Sequence, residues 1–344
     1  MLLPGIGEAG QHALGEASAL LVGCGALGTV IADAMVRAGI GRLTIVDRDV
    51  VEITNLQRQV LFDEADAHEG RPKAEAAAAR LRRINGAVEI IGVVADCTAR
   101  NIETFLNSDR RVGVVLDGTD NFQTRYLLND ACVKFGVPLI YGGAVGTVGM
   151  QMTLRPRGRA EEPCLRCIFP DPPPPGAAAT CDTAGVLGPA AGIVANMQAS
   201  EAVKLLSGNA ERCSPSLRQF DLWSNLWRTI NAGPSRADCT CCALRNFEFL
   251  EDSAGDGTAM LCGANAVQVT PRMSAAAAVD LDAMAERLAA HGLFRRSGPL
   301  VRGRLDGRAG AGIELTVFHD GRAIVKGTQD PARARAIYAR YVGV

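Results

Sequence analysis

Short unbroken apolar runs alternate with longer stretches of helical spacing through the first 140 residues. Residues 19–22 are wholly apolar, and beyond the glycines that follow, Leu27, Val30, Ile31, Ala34 and Met35 recur at the intervals of one helix face. Further apolar runs at 43–46, 88–94, 112–116 and 139–141 predict strands. Helical spacing recurs at 5–17, 72–84, 102–106 and 123–135. Pro72 suits the start of a helix, and the alanines behind it favour that state. Strand alternating with helix predicts an α/β, Rossmann-like, mostly parallel sheet covered on both faces, with ligands at the carboxyl ends of its strands.

From Gly142 the pattern changes. The glycine-punctuated run 142–154 predicts added antiparallel strands with tight bends. The proline run after Asp171 excludes regular helix and central strand, and 168–187 reads as a mobile loop over the crevice. Residues 188–206 have helical spacing, and 216–230 read as a hairpin carrying Trp223 and Trp227. A polar, glycine-rich linker at 251–265 separates a large domain, 1–250, from a small α+β domain, 266–344. In that tail helices are expected at 280–290 and 331–341, and strands at 300–305, 313–318 and 323–326. No internal repeat is visible.

Charge narrows the function. The chain has 344 residues, 36 basic against 37 acidic, for a net charge of −1. Without a basic stripe, nucleic acid is not expected as the main partner, and Arg80, Arg82 and Arg83 read as a solvated helix face. No apolar run reaches membrane-spanning length, and the first residues lack the features of a signal peptide, so the expected location is cytoplasmic. The eleven cysteines would then be reduced thiols. Two CxxC pairs, Cys164 with Cys167 and Cys239 with Cys242, suit one tetrahedral Zn²⁺ in a closed structural site. Cys241 lies between the second pair and could compete with Cys239, although the CxxC spacing favours Cys239. Cys24, Cys97, Cys132, Cys213 and Cys262 read as core or incidental thiols, and the four histidines form no cluster.

The chemistry concentrates near the first strand. Gly23 permits a tight turn, Gly25 lets phosphate approach bare backbone, and Gly28 allows close helix packing, so the helix start faces an anion. Asp47 ends the next apolar run, where a carboxylate can accept hydrogen bonds from ribose hydroxyls. The pair indicates a nucleotide without saying which; an ordinary βα turn is the alternative. Fixed cations and a metal-holding carboxylate separate phosphate chemistry from hydride transfer, and Arg58, Lys73 and Asp120 supply that set.

With these residues assembled, five ordered motifs over residues 3–250 resemble the MoeB/ThiF family of sulfur-carrier adenylyltransferases, in the ubiquitin-activating superfamily. They are Gly23-Cys-Gly-Ala-Leu-Gly28, Val-Asp47-Arg-Asp-Val-Val-Glu, Asn55-Leu-Gln-Arg58-Gln, Lys73-Ala and Asp117-Gly-Thr-Asp120-Asn121. The resemblance implies ATP bound by Gly23, Gly25, Ala26, Gly28, Asp47, Thr54, Asn55, Leu56, Gln57, Arg58, Lys73, Asp120 and Asn121. It makes Arg58 and Lys73 neutralise phosphate charge and Asp120 hold Mg²⁺. The implied reaction adenylates the C-terminal glycine carboxylate of a ubiquitin-like carrier ending in Gly-Gly and releases pyrophosphate, in a homodimer. Cys181 stands at the family's loop cysteine, which some members bond to the carrier as a thioester or acyl disulfide.

Two departures accompany the resemblance. The family's usual Arg-Tyr-Ser-Arg-Gln lead-in is not seen before Leu2-Leu3-Pro4; either the start is placed late, or another group substitutes for its arginine at the γ-phosphate. The tail is not rhodanese, so sulfur is expected from a separate donor. The rival readings are a tRNA-modifying dehydratase using the same adenylation, a nicotinamide oxidoreductase and a non-catalytic zinc-stabilised carrier scaffold.

Overall fold

The structure is a computed structural model that describes residues 3–156, 162–171, 185–251, 258–261, 265–270, 279–306 and 312–342. The chain divides into two units, Met1–Ser253 and Ala254–Val344, each with its own apolar core.

The first unit begins α1 (Gly7–Glu16), β1 (Ser18–Val22), α2 (Ala26–Ala38), β2 (Arg42–Asp47), α3 (Glu64–Glu69), α4 (Lys73–Ile84) and β3 (Glu89–Val94). It continues α5 (Ile102–Leu106), β4 (Val114–Asp117), α6 (Phe122–Phe135), β5 (Leu139–Val145), β6 (Val148–Leu154) and α7 (Leu165–Ile168). Then come α8 (Gly188–Leu206), β7 (Leu217–Asp221), β8 (Leu226–Ile230) and α9 (Glu248–Glu251). Eight strands form one sheet in the order β3-β2-β1-β4-β5-β6-β7-β8. Pairing is parallel from β3 to β5 and antiparallel from β5 to β8.

Every side chain of β1 and β4 is buried. A parallel strand covered on both faces has no solvent side, which is why these segments read as unbroken apolar runs. β8 is the opposite case: all five of its residues are exposed at the sheet edge, Trp227 at 59%, and Trp223 in the turn before it is 80% accessible. The chain leaves the centre in both directions from β1, so the carboxyl ends of β1 and β4 flank the point where strand order reverses. Val22 lies opposite Asp117 there, and Asp47 opposite Val94 one strand further out.

α8 packs on α2, β5 and β6. Its buried Gln198 donates Nε2 to Asp117 O at 2.8 Å and Ile140 O at 3.0 Å. Gly142 makes room for it, since a Cβ at that position would lie 2.3 Å from Gln198 Oε1.

The second unit contains β9 (Thr258–Leu261), β10 (Ala266–Val269), α10 (Leu281–Ala289), β11 (Gly292–Ser297), β12 (Leu300–Leu305), β13 (Glu314–Phe318), β14 (Ala323–Lys326) and α11 (Pro331–Tyr341). Its six-stranded sheet runs β11-β12-β13-β14-β10-β9, antiparallel throughout. This corrects the expected tail in three places. The stretch read as a linker at 251–265 contains strand β9, and β10 and β11 were not anticipated. β11 is a sheet edge with Leu293, Arg295 and Arg296 exposed, so no apolar alternation announces it. β9 and β10 have four residues each, too short for a periodic signal.

Candidate functional site

The glycine turn joins β1 to α2 at the reversal of strand order. Gly23 has φ +88°, and a Cβ there would fall 2.5 Å from Gly118 O; a Cβ at Gly28 would fall 2.0 Å from Gly23 O. These two glycines therefore serve close backbone packing. Gly25 is different, because a Cβ would meet only Gln59 Nε2, at 3.8 Å. No side chain caps α2, whose cap residue is Gly25, so the first-turn N–H groups of a 13-residue helix face the crevice with the helix dipole behind them. The next N–H back along the turn is already used: Cys24 N donates to Asp47 Oδ2 at 2.6 Å.

Asp47 is 8% exposed at the end of β2, and its other oxygen accepts from Asp49 N at 2.7 Å. Burial pushes its carboxyl up to about 6; Asp49 adds to the rise, while Lys73 and the two backbone donors oppose it. Lys73 starts α4, is 7% exposed and places Nζ 3.1 Å from Asp49 Oδ2. Burial pulls the Lys73 ammonium down, but the carboxylates of Asp49, Asp47 and Asp120 outweigh it and hold the group above its ordinary value. Asp120 is exposed at the end of the β4 loop. Lys73 is thus one of two cations facing these acids. The other is Arg48, whose Nε lies 3.8 Å from Asp49 Oδ1; burial pulls its guanidinium down, but Asp96, Asp49 and Asp120 outweigh it and hold the group above its ordinary value.

The other motif residues are held more locally. Asn55 Oδ1 accepts from Glu52 N at 3.2 Å, closing the 3-10 turn Ile53–Asn55. Arg58 donates Nη1 to Thr54 O at 3.0 Å, and Gln57 and Arg58 lie against the start of α8 at Gly188. Among the described contacts, none joins Arg58 to Lys73 or Asp120. Asn121 Oδ1 caps α6 by accepting from Thr124 N at 2.8 Å. Cys181 lies outside the described residues, as does most of the loop expected at 168–187.

Three charged residues not singled out from the sequence belong to the same crevice. Asp49 holds Lys73. Arg48 donates Nη1 to Asp96 Oδ2 at 2.9 Å, across the ends of β2 and β3. Arg125, one turn into α6, donates Nε to Asp117 Oδ2 at 2.9 Å and Nη2 to Thr119 O at 2.9 Å and Gly142 O at 3.3 Å. Its guanidinium also lies 5.4 Å from the Phe122 ring centroid and 5.1 Å from that of Tyr141. Arg125 therefore ties the loop bearing Asp120 to β5. Its place four residues after the cap Asn121 was the available signal.

The four expected thiols of Cys164, Cys167, Cys239 and Cys242 lie within 4.8 Å of one another and could hold a metal ion. Cys164 Sγ is 3.6 Å from Cys239 Sγ, and Cys167 Sγ is 3.4 Å from Cys242 Sγ. Sulfurs around a tetrahedral zinc at ~2.3 Å stand roughly 3.8 Å apart, so the donor set and its spacing fit that ion. Cys241 packs beside the four without joining them, and accepts from Asn129 Nδ2 at 3.3 Å. Asn129 Oδ1 accepts from Leu165 N at 2.8 Å, so one α6 side chain contacts both cysteine segments.

Comparison with known proteins places the chain in a family. The model of the ThiF family matches residues 1–241. The chain is 43% identical over 340 residues to the sulfur carrier protein ThiS adenylyltransferase of Bacillus subtilis (strain 168), covering 98% of this chain and 96% of that protein. It is 43% identical over 267 residues to the adenylyltransferase and sulfurtransferase MOCS3 of Sus scrofa, covering 77% of this chain but 56% of that protein. In fold it is similar to a crystal structure of E. coli MccB with ATP, at TM-score 0.58 and 20% identity over 68% of this chain and 69% of that one. With the glycine turn, the β2 acid and the converging lysine on one sheet edge, these matches show that the chain belongs to the ThiF family.

Proposed function

We propose that the protein uses ATP to adenylate the C-terminal glycine carboxylate of a ubiquitin-like sulfur-carrier protein. The observation that carries the reading is the convergence of Asp47, Lys73 and Asp120 beside an uncapped glycine turn, in a chain matched end to end by a ThiS adenylyltransferase. The α2 N-terminus and bare Gly25 take the phosphates, and Asp47 takes the ribose. A carrier carboxylate oxygen attacks the α-phosphorus, the bond from that phosphorus to the bridging oxygen breaks, and pyrophosphate leaves, giving an acyl-adenylate. Lys73 and Arg58 offset the charge that grows on the leaving phosphates.

Asp120 is a hard oxygen donor at the crevice rim and would hold Mg²⁺, which supplies charge neutralisation to the triphosphate when bound. Cys164, Cys167, Cys239 and Cys242 would hold Zn²⁺ in a closed four-sulfur clip with no open position for chemistry. The reading includes a homodimer, a separate sulfur donor and a reducing, cytoplasmic location. It also gives Cys181 the role of accepting the carrier as a thioester, its sulfur displacing AMP from the adenylate. Exchange of labelled pyrophosphate into ATP, dependent on a Gly-Gly carrier and Mg²⁺, tests the activity. Exchange that persists undiminished in Asp120→Ala would remove the site assignment.

A further inference from the structure

The near-neutral charge of the chain is unevenly divided. From residue 254 onward Lys and Arg number 12 against 8 Asp and Glu, and part of that excess gathers on one face of the second unit's sheet. Side chains of a strand alternate between the two faces. The face that packs on α10 and α11 carries Val267, Val301, Leu305, Leu315, Val317 and Val325. On the other face the strand register sets Arg295 opposite Arg302 in one row, and runs Leu293, Arg304, Glu314 and Lys326 across the next.

Charge on this face is poorly balanced. Glu314 reaches Arg302 at 3.4 Å and Lys326 at 3.7 Å, so the one acid of these rows is shared by two cations. Arg295 and Arg304 are exposed, and neither has an ion pair among the described residues. Like charges directly opposite on neighbouring strands repel, and Arg295 stands opposite Arg302 on the edge strand β11. Beside them Leu293 is 83% exposed.

An anionic surface relieves that repulsion, and guanidinium forks match carboxylates in paired geometry. The leucine decides what kind of anion fits. Phosphates cannot cover an aliphatic side chain, and a sheet that reads single-stranded nucleic acid displays aromatic rings for the bases. The exposed residues of these two rows are Leu293, Arg295 and Arg304, with no ring among them. An apolar contact flanked by arginines is the make-up of a protein interface.

We propose that the face of β11 to β13 built on Leu293, Arg295, Arg302 and Arg304 docks an acidic protein surface, with carboxylates on the arginines and an apolar side chain against Leu293. It uses no residue of the nucleotide crevice and stands independently of the adenylation reading.

Fluorescence anisotropy of the full chain with two labelled probes tests it: an oligopeptide repeating Glu-Leu-Glu, and an oligouridylate of equal charge. The peptide should bind more tightly than the oligouridylate. Arg295→Gln and Arg304→Gln should each weaken the peptide about fivefold, the upper end for one exposed ion pair. Leu293→Ser should weaken it several-fold. Because all three side chains are exposed, the melting temperature should stay where it is. Arg296→Gln is the control: this arginine lies on the same strand but the opposite face, bonded to Asp282 of α10, and its loss should leave peptide affinity within about twofold. Absence of peptide binding, an equal loss in Arg296→Gln, no loss in Leu293→Ser, or oligouridylate binding as tight as the peptide overturns the proposal.

Discussion

Gly25 and Gly28 separate two jobs that a glycine motif usually blurs. A methyl group at Gly28 would overlap Gly23 O, whereas one at Gly25 has only a side-chain amide nitrogen near it. Gly28→Ala should therefore lower stability by on the order of 3 kcal/mol, read from denaturant midpoints. Gly25→Ala should leave the midpoint nearly unchanged and cut ATP affinity at least about tenfold. Asp47 gives a pH signature in the nucleotide-free chain. Its folded pKa, about 6, stands above the ordinary 3.8, so the folded state favours the protonated form. Stability relative to Asp47→Asn should fall as pH rises from about 4 to about 6 and then level off; melting temperatures of the pair across that range check it. Arg125 acts through its neighbours rather than on substrate. Arg125→Lys, which keeps charge but loses the fork to Asp117, Thr119 and Gly142, should raise the Mg²⁺ concentration needed for half-maximal exchange several-fold more than it raises the KM for ATP.

α6 links two regions that the chain separates widely. Its start carries the Asn121 cap and Arg125, and further along Asn129 and Asp130 meet the cysteine segments: Asp130 pairs with Arg166 of α7 at 3.4 Å and accepts from Phe249 N in α9 at 3.2 Å. Arg166 also bonds Glu248 at 2.6 Å. With Zn²⁺ in place, the four-sulfur clip and this ion-pair bridge brace the same packing. Chelation should lower the melting temperature and speed amide exchange in α7 and α9 first, leaving the protection of β1 and β4 largely intact. Exchange followed by mass spectrometry, with and without chelator, decides it; uniform loss across the unit would count against a local clip.

The two units have separate cores, one around β1, β4 and α6 and one around β12–β14 with α10 and α11. All five motifs of the proposed nucleotide site fall within the first unit. A chain ending at Ser253 should therefore fold and retain ATP–pyrophosphate exchange within about threefold of the full chain, provided the carrier contacts lie in that unit as well. Loss of exchange in a truncated chain that still binds ATP would assign a carrier role to the second unit.

Local pattern sufficed where the physics is local. Buried parallel strands must be apolar on both faces, so β1, β2 and β4 were legible as runs; a turn that admits backbone to backbone demands glycine; and paired thiols at CxxC spacing announce a metal's coordination habit. The mostly parallel sheet with its covering helices and the β1–α2 turn followed from these features. Partners distant in the chain were not legible, because packing alone brings them together. Arg48 meets Asp96, and Arg125 meets Gly142, across separations that no periodicity encodes. The CxxC spacing favoured Cys239 over Cys241 but did not reveal the partner that takes Cys241, an asparagine 112 residues away. Strands β9 to β11 are stabilised by neighbours rather than by alternation of their own, so their existence awaited the assembled sheet.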